Sequence, residues 1–369
     1  MTRVLHLITR WVGGGAETTT RNALAALSSA DRAYDLRLGT GAAHDPERLA
    51  DLRELGVETT AFRSIRHYNP FAALIAVVAV AWHLRRTDVE ILHTHSTEAG
   101  VIGRLAAAFA GTPTVVHEVH GDPMTADRNG LLNRFLLAAE RRCARLSDRI
   151  VVKSERIRET YLDRGIGRPE QYVVIHHGVE TERFRTAAPE RREREAEPVR
   201  LLFVGRLADG KGLFDLLDAL ERVAESRDVW LQIAGEGPLA EELAREIDER
   251  GLPAELLGYR EDVPALMADA DVLALPSYRE GTPRVVTEAM ASGLPVVATA
   301  IAGIPDQVAD GESGYLVEPG DVAALADRIA DLVEDPETRA AFGSRGQERA
   351  EEFDIDRAKD AYRELYRSL

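Results

Sequence analysis

The sequence predicts an α/β protein with two Rossmann-like domains in tandem, and three observations carry that prediction. Short β-branched runs alternate with helical patterns throughout, the strand candidates are near-continuous apolar runs, and glycine-rich turns follow several of them. Strands apolar on both faces belong to parallel sheets covered by helices, and the alternation is a repeated βαβ unit. At 369 residues the chain is long for one domain and comfortable for two, each able to bury its own core.

In the first half the expected strands are Val4–Ile8, Asp35–Leu38, Val57–Phe62, Val89–His93, Thr114–Glu118, Ile150–Lys153 and Tyr172–Ile175. In the second they are Val199–Val204, Val229–Ala234, Ala254–Leu257, Val272–Leu275, Pro295–Ala298 and Gly314–Val317. Amphipathic periods predict helices over Glu17–Leu27, Leu131–Leu146, Leu239–Arg250 and Val322–Val333, among others. Between the halves, TAAPERREREAEP (Thr186–Pro198) is charged and almost free of apolar residues. It reads as a surface linker, the alternative being a charged surface helix. The expected plan is a first domain over 1–185, the linker over 186–198 and a second domain over 199–350. A closing helix over 351–369 packs back on the first domain.

Composition narrows the function classes. Net charge is −16, but residues 1–180 carry 23 Lys and Arg against 21 Asp and Glu, while the remainder carries 23 against 41. So acidic a chain repels nucleic acid, and the near-neutral first half is the side suited to an anionic membrane or a lipid-linked phosphate. The single cysteine, Cys143, rules out an internal disulfide and fits a reducing cytoplasm. The opening MTRVLHLITRW lacks the apolar run and cleavage site of a signal peptide, and no stretch has the roughly 18 apolar residues that span a bilayer. Phe71–Leu84, apolar nearly all round and ending in basic residues, is a buried core helix or a membrane-facing one.

FVGRLADGKG (Phe203–Gly212) follows a strand and precedes a helix. Gly205, Gly210 and Lys211 have P-loop spacing, but Gly212 stands where the Mg²⁺-binding hydroxyl belongs, which argues against an ATPase. Arg206 and Lys211 instead offer a donor fork and a point charge, suited to a diphosphate that departs. WVGGGAET (Trp11–Thr18) is an anion-attracting turn into a helix, or simply a tight turn; Thr18 replaces the last glycine of the dinucleotide fingerprint. His93, His95, His117 and His120 flank two strand ends. HEVH lacks the spacer of HExxH, and His93 and His95 share a strand face with no third ligand in view, which weighs against a metal. His120, followed at once by Gly121, can meet a ligand or be a satisfied loop histidine.

In SYREGTPRVVTEAMASGLPVVAT (Ser277–Thr299), Thr282 reads as an N-cap with Pro283 in the first helical turn. The free amides near Arg284 and Val285 can hold phosphate oxygens. Glu280 and Glu288 can border one pocket, though Glu288 can also simply pair with Arg284 at i,i+4. Two carboxylates at an anion-binding helix start make sense if one holds neutral hydroxyls, as a sugar presents.

GRLADGKG, GEGPL (Gly235–Leu239) and REGTPRVVTEAMASGLPVVAT, with GGGAE and VHG in the first half, resemble glycosyltransferase family 4 of the GT-B fold. The resemblance covers essentially the whole chain in order, and its most specific part is Glu280 and Glu288 beside the GR…KG element. It implies two Rossmann-like domains with a nucleotide-sugar cleft between them, and a retaining, metal-independent hexosyl transfer from a nucleoside-diphosphate sugar, UDP-linked by preference. In that picture Arg206 and Lys211 bind the departing diphosphate, Glu280 faces the donor sugar and Glu288 the ribose. The segment Gly281–Thr282–Pro283 and the amides of Thr282, Arg284 and Val285 form the phosphate site, with Gly14 and Gly15 approaching it. His120 contacts the sugar, and the turns at Gly235, Gly237, Leu257 and Gly258 flank the base. The leaving phosphate takes the acceptor proton, so neither a general base nor a cofactor is expected.

Many members carry an aromatic or small pair after the first glutamate, where this chain has Thr282-Pro283. That variant resembles enzymes of surface polysaccharide and lipid-linked oligosaccharide assembly, so a saccharide or lipid-linked acceptor at the inner face of the plasma membrane is expected. The alternatives are a nucleotide-sugar epimerase of the same architecture and a non-catalytic sugar-nucleotide-binding regulator.

Overall fold

Thirteen strands are present among the described residues, and each overlaps one of the expected runs. A computed structural model of the chain describes residues 1–30, 34–66, 70–121, 124, 130–187 and 198–369. Internal contacts divide it into one unit of Met1–Gly178 with Ile355–Leu369, and another of Val179–Asp354. The boundary therefore falls before the position expected at residue 185. The helix Thr181–Ala187 packs on the helices Val263–Asp269 and Arg284–Ala291 of the second unit, because Thr181 and Phe184 bury their side chains there. The short turn Glu351–Phe353 also stays with the second unit, and the segment returning to the first begins at Ile355. Residues 188–197 of the expected linker lie outside the described residues.

The first unit holds β1 (Thr2–Ile8), β2 (Tyr34–Thr40), β3 (Glu58–Ala61), β4 (Ile91–His95), β5 (Thr114–Glu118), β6 (Arg149–Val152) and β7 (Tyr172–Val174). They form one parallel sheet in the order β3-β2-β1-β4-β5-β6-β7. The winding reverses between β1 and β4, where an open α/β sheet leaves its crevice. β4 begins two residues later than expected. Val89 still donates to the Leu84 carbonyl (3.2 Å) in a turn with Asp88 at φ 46. β4 also ends two residues later, with His95 as its last residue.

The helix Pro70–Arg86 presents two different faces. Ala76, Val77, Val80 and Leu84 are buried in the core under the sheet, whereas Phe71, Leu74, Ile75, Val78 and Trp82 are exposed. The helix Ile355–Arg367 buries Ala358, Tyr362, Leu365 and Tyr366, one stripe at i, i+4, i+7 and i+8, against the other face of the unit.

The second unit holds β8 (Val199–Val204), β9 (Val229–Ala234), β10 (Ala254–Gly258), β11 (Val272–Leu275), β12 (Val296–Thr299) and β13 (Gly314–Val317). Its parallel sheet runs β10-β9-β8-β11-β12-β13, reversing between β8 and β11. The helix Leu213–Ala224 buries Leu213, Leu216, Leu217, Leu220 and Val223, a continuous apolar stripe.

One buried ion pair ties two helices of the first unit. Arg104, fully buried, donates through Nη2 to both carboxylate oxygens of Glu140 (3.0 and 2.9 Å) and through Nε to the Gly100 carbonyl (2.8 Å). Arg104→Ala strands the Glu140 carboxylate without a counter-charge. We expect a loss of about 3–5 kcal/mol in urea unfolding; an unchanged midpoint would show that the pair contributes nothing.

Candidate functional site

At the crevice of the second unit, two loops are locked together. Tyr278 donates its amide to the Gly210 carbonyl (2.9 Å), and its hydroxyl donates to Asp215 (2.6 Å). Gly212 has φ +65, and a Cβ there would lie 2.0 Å from the Pro276 carbonyl oxygen. Only glycine lets the two loops approach this closely, so the residue that removed the P-loop hydroxyl is required by packing. Gly235 meets a similar limit, a Cβ lying 1.8 Å from the Gly205 carbonyl. At Leu257 the β10 ladder bulges, and Gly258 accepts from the Gly235 amide (2.8 Å).

Lys211 and Glu280, 69 residues apart in sequence, meet at 2.6 Å with the carboxylate largely enclosed. Arg206 is exposed after β8. The helix Arg284–Ala291 takes Pro283, not Thr282, as its N-cap, and no side chain caps it. Thr282 Oγ1 is buried and without a hydrogen-bond partner among the described residues, which corrects the expected cap. The reason is that the Gly281 carbonyl is held by the Gly303 amide (2.8 Å), fixing the chain before Pro283. Glu288 stands 3.6 Å from Arg284 Nε, the i,i+4 pair foreseen as the simpler role. Burial pushes the Glu288 carboxyl up, against the pull of Arg284 and Arg183. Each carboxylate at this helix start thus has its own cation.

In the first unit the turn after β1 is open: no described atom lies within 4 Å of a Cβ built on Gly14 or Gly15, nor on Gly121 beside His120. Gly13 donates its amide to Glu17 (2.6 Å). Behind this turn, register brings His6 beside His93 and His95 beside Glu118. The pleat puts all four on one face. His6, His93, His95 and Glu118 are completely buried there with Tyr362 and Tyr366. Lys153, just after β6, reaches Glu118 at 2.6 Å, and Tyr362 donates its hydroxyl to the same carboxylate (2.9 Å). His120 is nearly enclosed and lies 3.1 Å from His95. His117 faces the other side, its Nδ1 3.0 Å from Thr94 Oγ1.

The expectation that His93 and His95 lack a third nitrogen is corrected, because His6 joins them. The trios His6, His93, His95 and His95, Glu118, His120 each bring candidate ligand atoms within 4.8 Å of one another. Their ring nitrogens are engaged with each other (His6 to His95, 2.9 Å; His95 to His120, 3.1 Å), and a cation would face the Lys153 ammonium across Glu118.

Two family models together match most of the chain: "Glycosyl transferase 4-like domain" over residues 14–178 and "Glycosyl transferases group 1" over 184–349. A D-inositol 3-phosphate glycosyltransferase of Streptomyces avermitilis is 32% identical, over 78% of this chain and 68% of that one. The chain belongs to glycosyltransferase family 4. This glycosyltransferase is also 27% identical to the UDP-Gal:alpha-D-GlcNAc-diphosphoundecaprenol alpha-1,3-galactosyltransferase of Escherichia coli, over 83% of this chain and 82% of that one. Its fold matches the crystal structure of Anabaena HepE in complex with UDP, with TM-score 0.80 over the whole of both chains at 24% identity. It is a GT-B fold.

Sequence reading of the glycosyltransferase singled out His93, His95 and His120 but missed His6, Glu118, Lys153, Tyr362 and Tyr366 as their partners. The only available signal was parity, since His6 and the HTH histidines fall on inward positions of adjacent parallel strands.

Burial lowers the imidazoles of His6, His95 and His117 well below their ordinary value and brings His120 to about 4. The unfolded chain, with histidines near 6.5, therefore binds more protons than the folded one below that pH. Stability is complete above about pH 6.5 and is lost as pH falls toward 4, by roughly 3 kcal/mol for His120 alone. Urea midpoints should fall between pH 7 and pH 5; a flat or rising midpoint would refute this charge state.

Proposed function

We propose that this glycosyltransferase moves a hexosyl group from a UDP-sugar, with retention and without a metal ion, to a saccharide or lipid-linked acceptor in surface polysaccharide or glycoconjugate synthesis. The Lys211–Glu280 pair at the β8/β11 crevice carries the reading. An ammonium has three donors, so Lys211 can keep Glu280 and still meet a diphosphate oxygen. It is already in place before charge develops on the leaving group, the condition under which electrostatic stabilisation is largest. Arg206 and the amides of Arg284 and Val285 complete the diphosphate clamp, beside Gly281, Thr282 and Pro283. Glu280 then accepts from sugar hydroxyls and Glu288 from the ribose, with the turns at Gly235, Gly237, Leu257 and Gly258 around the base. On the first unit the ligand-facing groups are Gly14, Gly15 and His120. The leaving phosphate takes the acceptor proton.

The preference for UDP is supported by the Escherichia coli relative, whose name gives UDP-Gal as donor and a diphosphoundecaprenol as acceptor, and by the UDP in HepE. The relatives' names favour neither the epimerase nor the regulator. Lys211→Ala and Glu280→Ala should each lose about 10²–10³-fold in transfer, with unfolding midpoints near wild type. Full activity in both would overturn the site. UDP should raise the midpoint more than GDP or ADP, and EDTA should leave transfer intact.

A lipid-linked acceptor fits the outer face of Pro70–Arg86. Phe71, Leu74, Ile75, Val78 and Trp82 are exposed there, Arg85 and Arg86 end the helix, and the guanidinium of Arg86 lies over Trp82. Among the described residues no helix is long and apolar enough to cross a membrane. We read this face as a peripheral contact with an anionic cytoplasmic leaflet. The protein should float with anionic liposomes at low salt, and Phe71→Asp with Trp82→Asp should abolish flotation. Wild-type protein that stays at the bottom would refute the contact.

A further inference from the structure

A continuous chain of contacts links His120 to Glu118 through the interior of the first unit. His120 Nε2 is 3.1 Å from His95 Nδ1, and His95 Nε2 is 2.9 Å from His6 Nδ1. His6 Nε2 is 3.1 Å from the Tyr366 hydroxyl, which is 2.8 Å from His93 Nδ1. His93 Nε2 lies 3.1 Å from Glu118 Oε2, a charge contact outside hydrogen-bond geometry, and neither atom has a hydrogen-bond partner among the described residues. His6 and His95 are hydrogen-bonded through both nitrogens, His93 through Nδ1 with its Nε2 set against the Glu118 carboxylate, and His120 through Nε2 alone among the described residues.

A carboxylate can only accept, and a neutral imidazole has one N–H. Start from Glu118 with every ring neutral. His93 must carry its proton on Nε2, so its Nδ1 accepts from Tyr366. Tyr366 then accepts from His6 Nε2–H, His6 Nδ1 from His95 Nε2–H, and His95 Nδ1 from His120 Nε2–H. One extra proton, held as a His93 imidazolium against Glu118, reverses every link and puts the His120 proton on Nδ1. Lys153 decides between the two forms. Its ammonium already neutralises Glu118 at 2.6 Å, so a second buried cation there would lack a counter-charge. The remaining titratable neighbours do not change this: Tyr362 donates to Glu118, His117 is engaged by Thr94 on the opposite face, and Tyr34 meets Tyr366 edge-on.

We propose that Lys153 and Glu118 act as positioning residues which, through this one-way chain, hold His120 as the Nε2–H tautomer and leave Nδ1 as an acceptor for a ligand hydroxyl. The link to a ligand rests on the transferase reading above; the tautomer does not. Burial alone would raise the Glu118 carboxyl, but Lys153 and the contact from His93 outweigh it and hold it well below the usual range. The chain therefore fixes a proton position rather than storing a proton.

The test is nitrogen-15 NMR of histidine-labelled, ligand-free full-length protein at pH 7.5, with His120 assigned by loss of its signals in His120→Asn. Wild type should show His120 protonated on Nε2 only. Lys153→Met should let the chain take up one proton and move the His120 proton to Nδ1, and Tyr366→Phe should give a mixture. A change that merely loosened packing would not invert the tautomer. An Nδ1–H His120 in the wild type, or an unchanged Nε2–H in both variants, would overturn the proposal; should Lys153→Met not fold, the other two spectra decide. Tyr366→Phe should also lose about tenfold or more in transfer. An inert enzyme with the expected tautomers would refute the transferase reading alone.

Discussion

A parallel sheet delivers all its strands' carboxyl ends to one edge, and where its winding reverses the following loops splay apart. Both units of this glycosyltransferase obey that constraint, at β1/β4 and at β8/β11. The polar chemistry follows from it. Lys211 leaves the loop after β8 and Glu280 the loop after β11, so their contact is a consequence of two strands being neighbours. In the first unit β1, β4, β5 and β6 are consecutive neighbours, and their ends supply His6, His95, Glu118 and Lys153.

The two crevices treat charge in opposite ways. In the second unit the cations and carboxylates are only partly enclosed, Lys211 and Arg284 each keeping about a quarter of the side chain exposed. In the first unit Glu118 and Lys153 are enclosed. There the ion pair is expensive to bury, and it is tolerated because the Tyr362 hydroxyl accepts from Lys153 and donates to Glu118, with the His93 imidazole 3.1 Å from the other carboxylate oxygen.

The outer face of Pro70–Arg86 breaks the rule that a surface helix is polar outward. Its inner face alone fills the core, so the exposed aromatic and aliphatic side chains are not explained by folding.

Much of this was legible in the sequence. Alternating apolar runs located the strands because buried parallel strands need apolar residues on both faces, and the GR…KG, EGTPR and VHG motifs sat just after strands, where an open α/β sheet places its ligand-facing loops. Local patterning could also tell that Gly212 had replaced a hydroxyl. It could not tell why, since the reason is a carbonyl of Pro276 from a loop over sixty residues away. The Thr282 cap failed for a similar cause, Gly303 holding the preceding carbonyl. Tertiary structure alone decided the partners of His95. They are His6 and Glu118 from the adjacent strands and His120 beyond one of them, while His93 beside it meets Tyr366, 273 residues downstream, and no single-strand period records which strand lies beside which. The sequence determined what each segment would bury; packing determined which buried polar groups would meet.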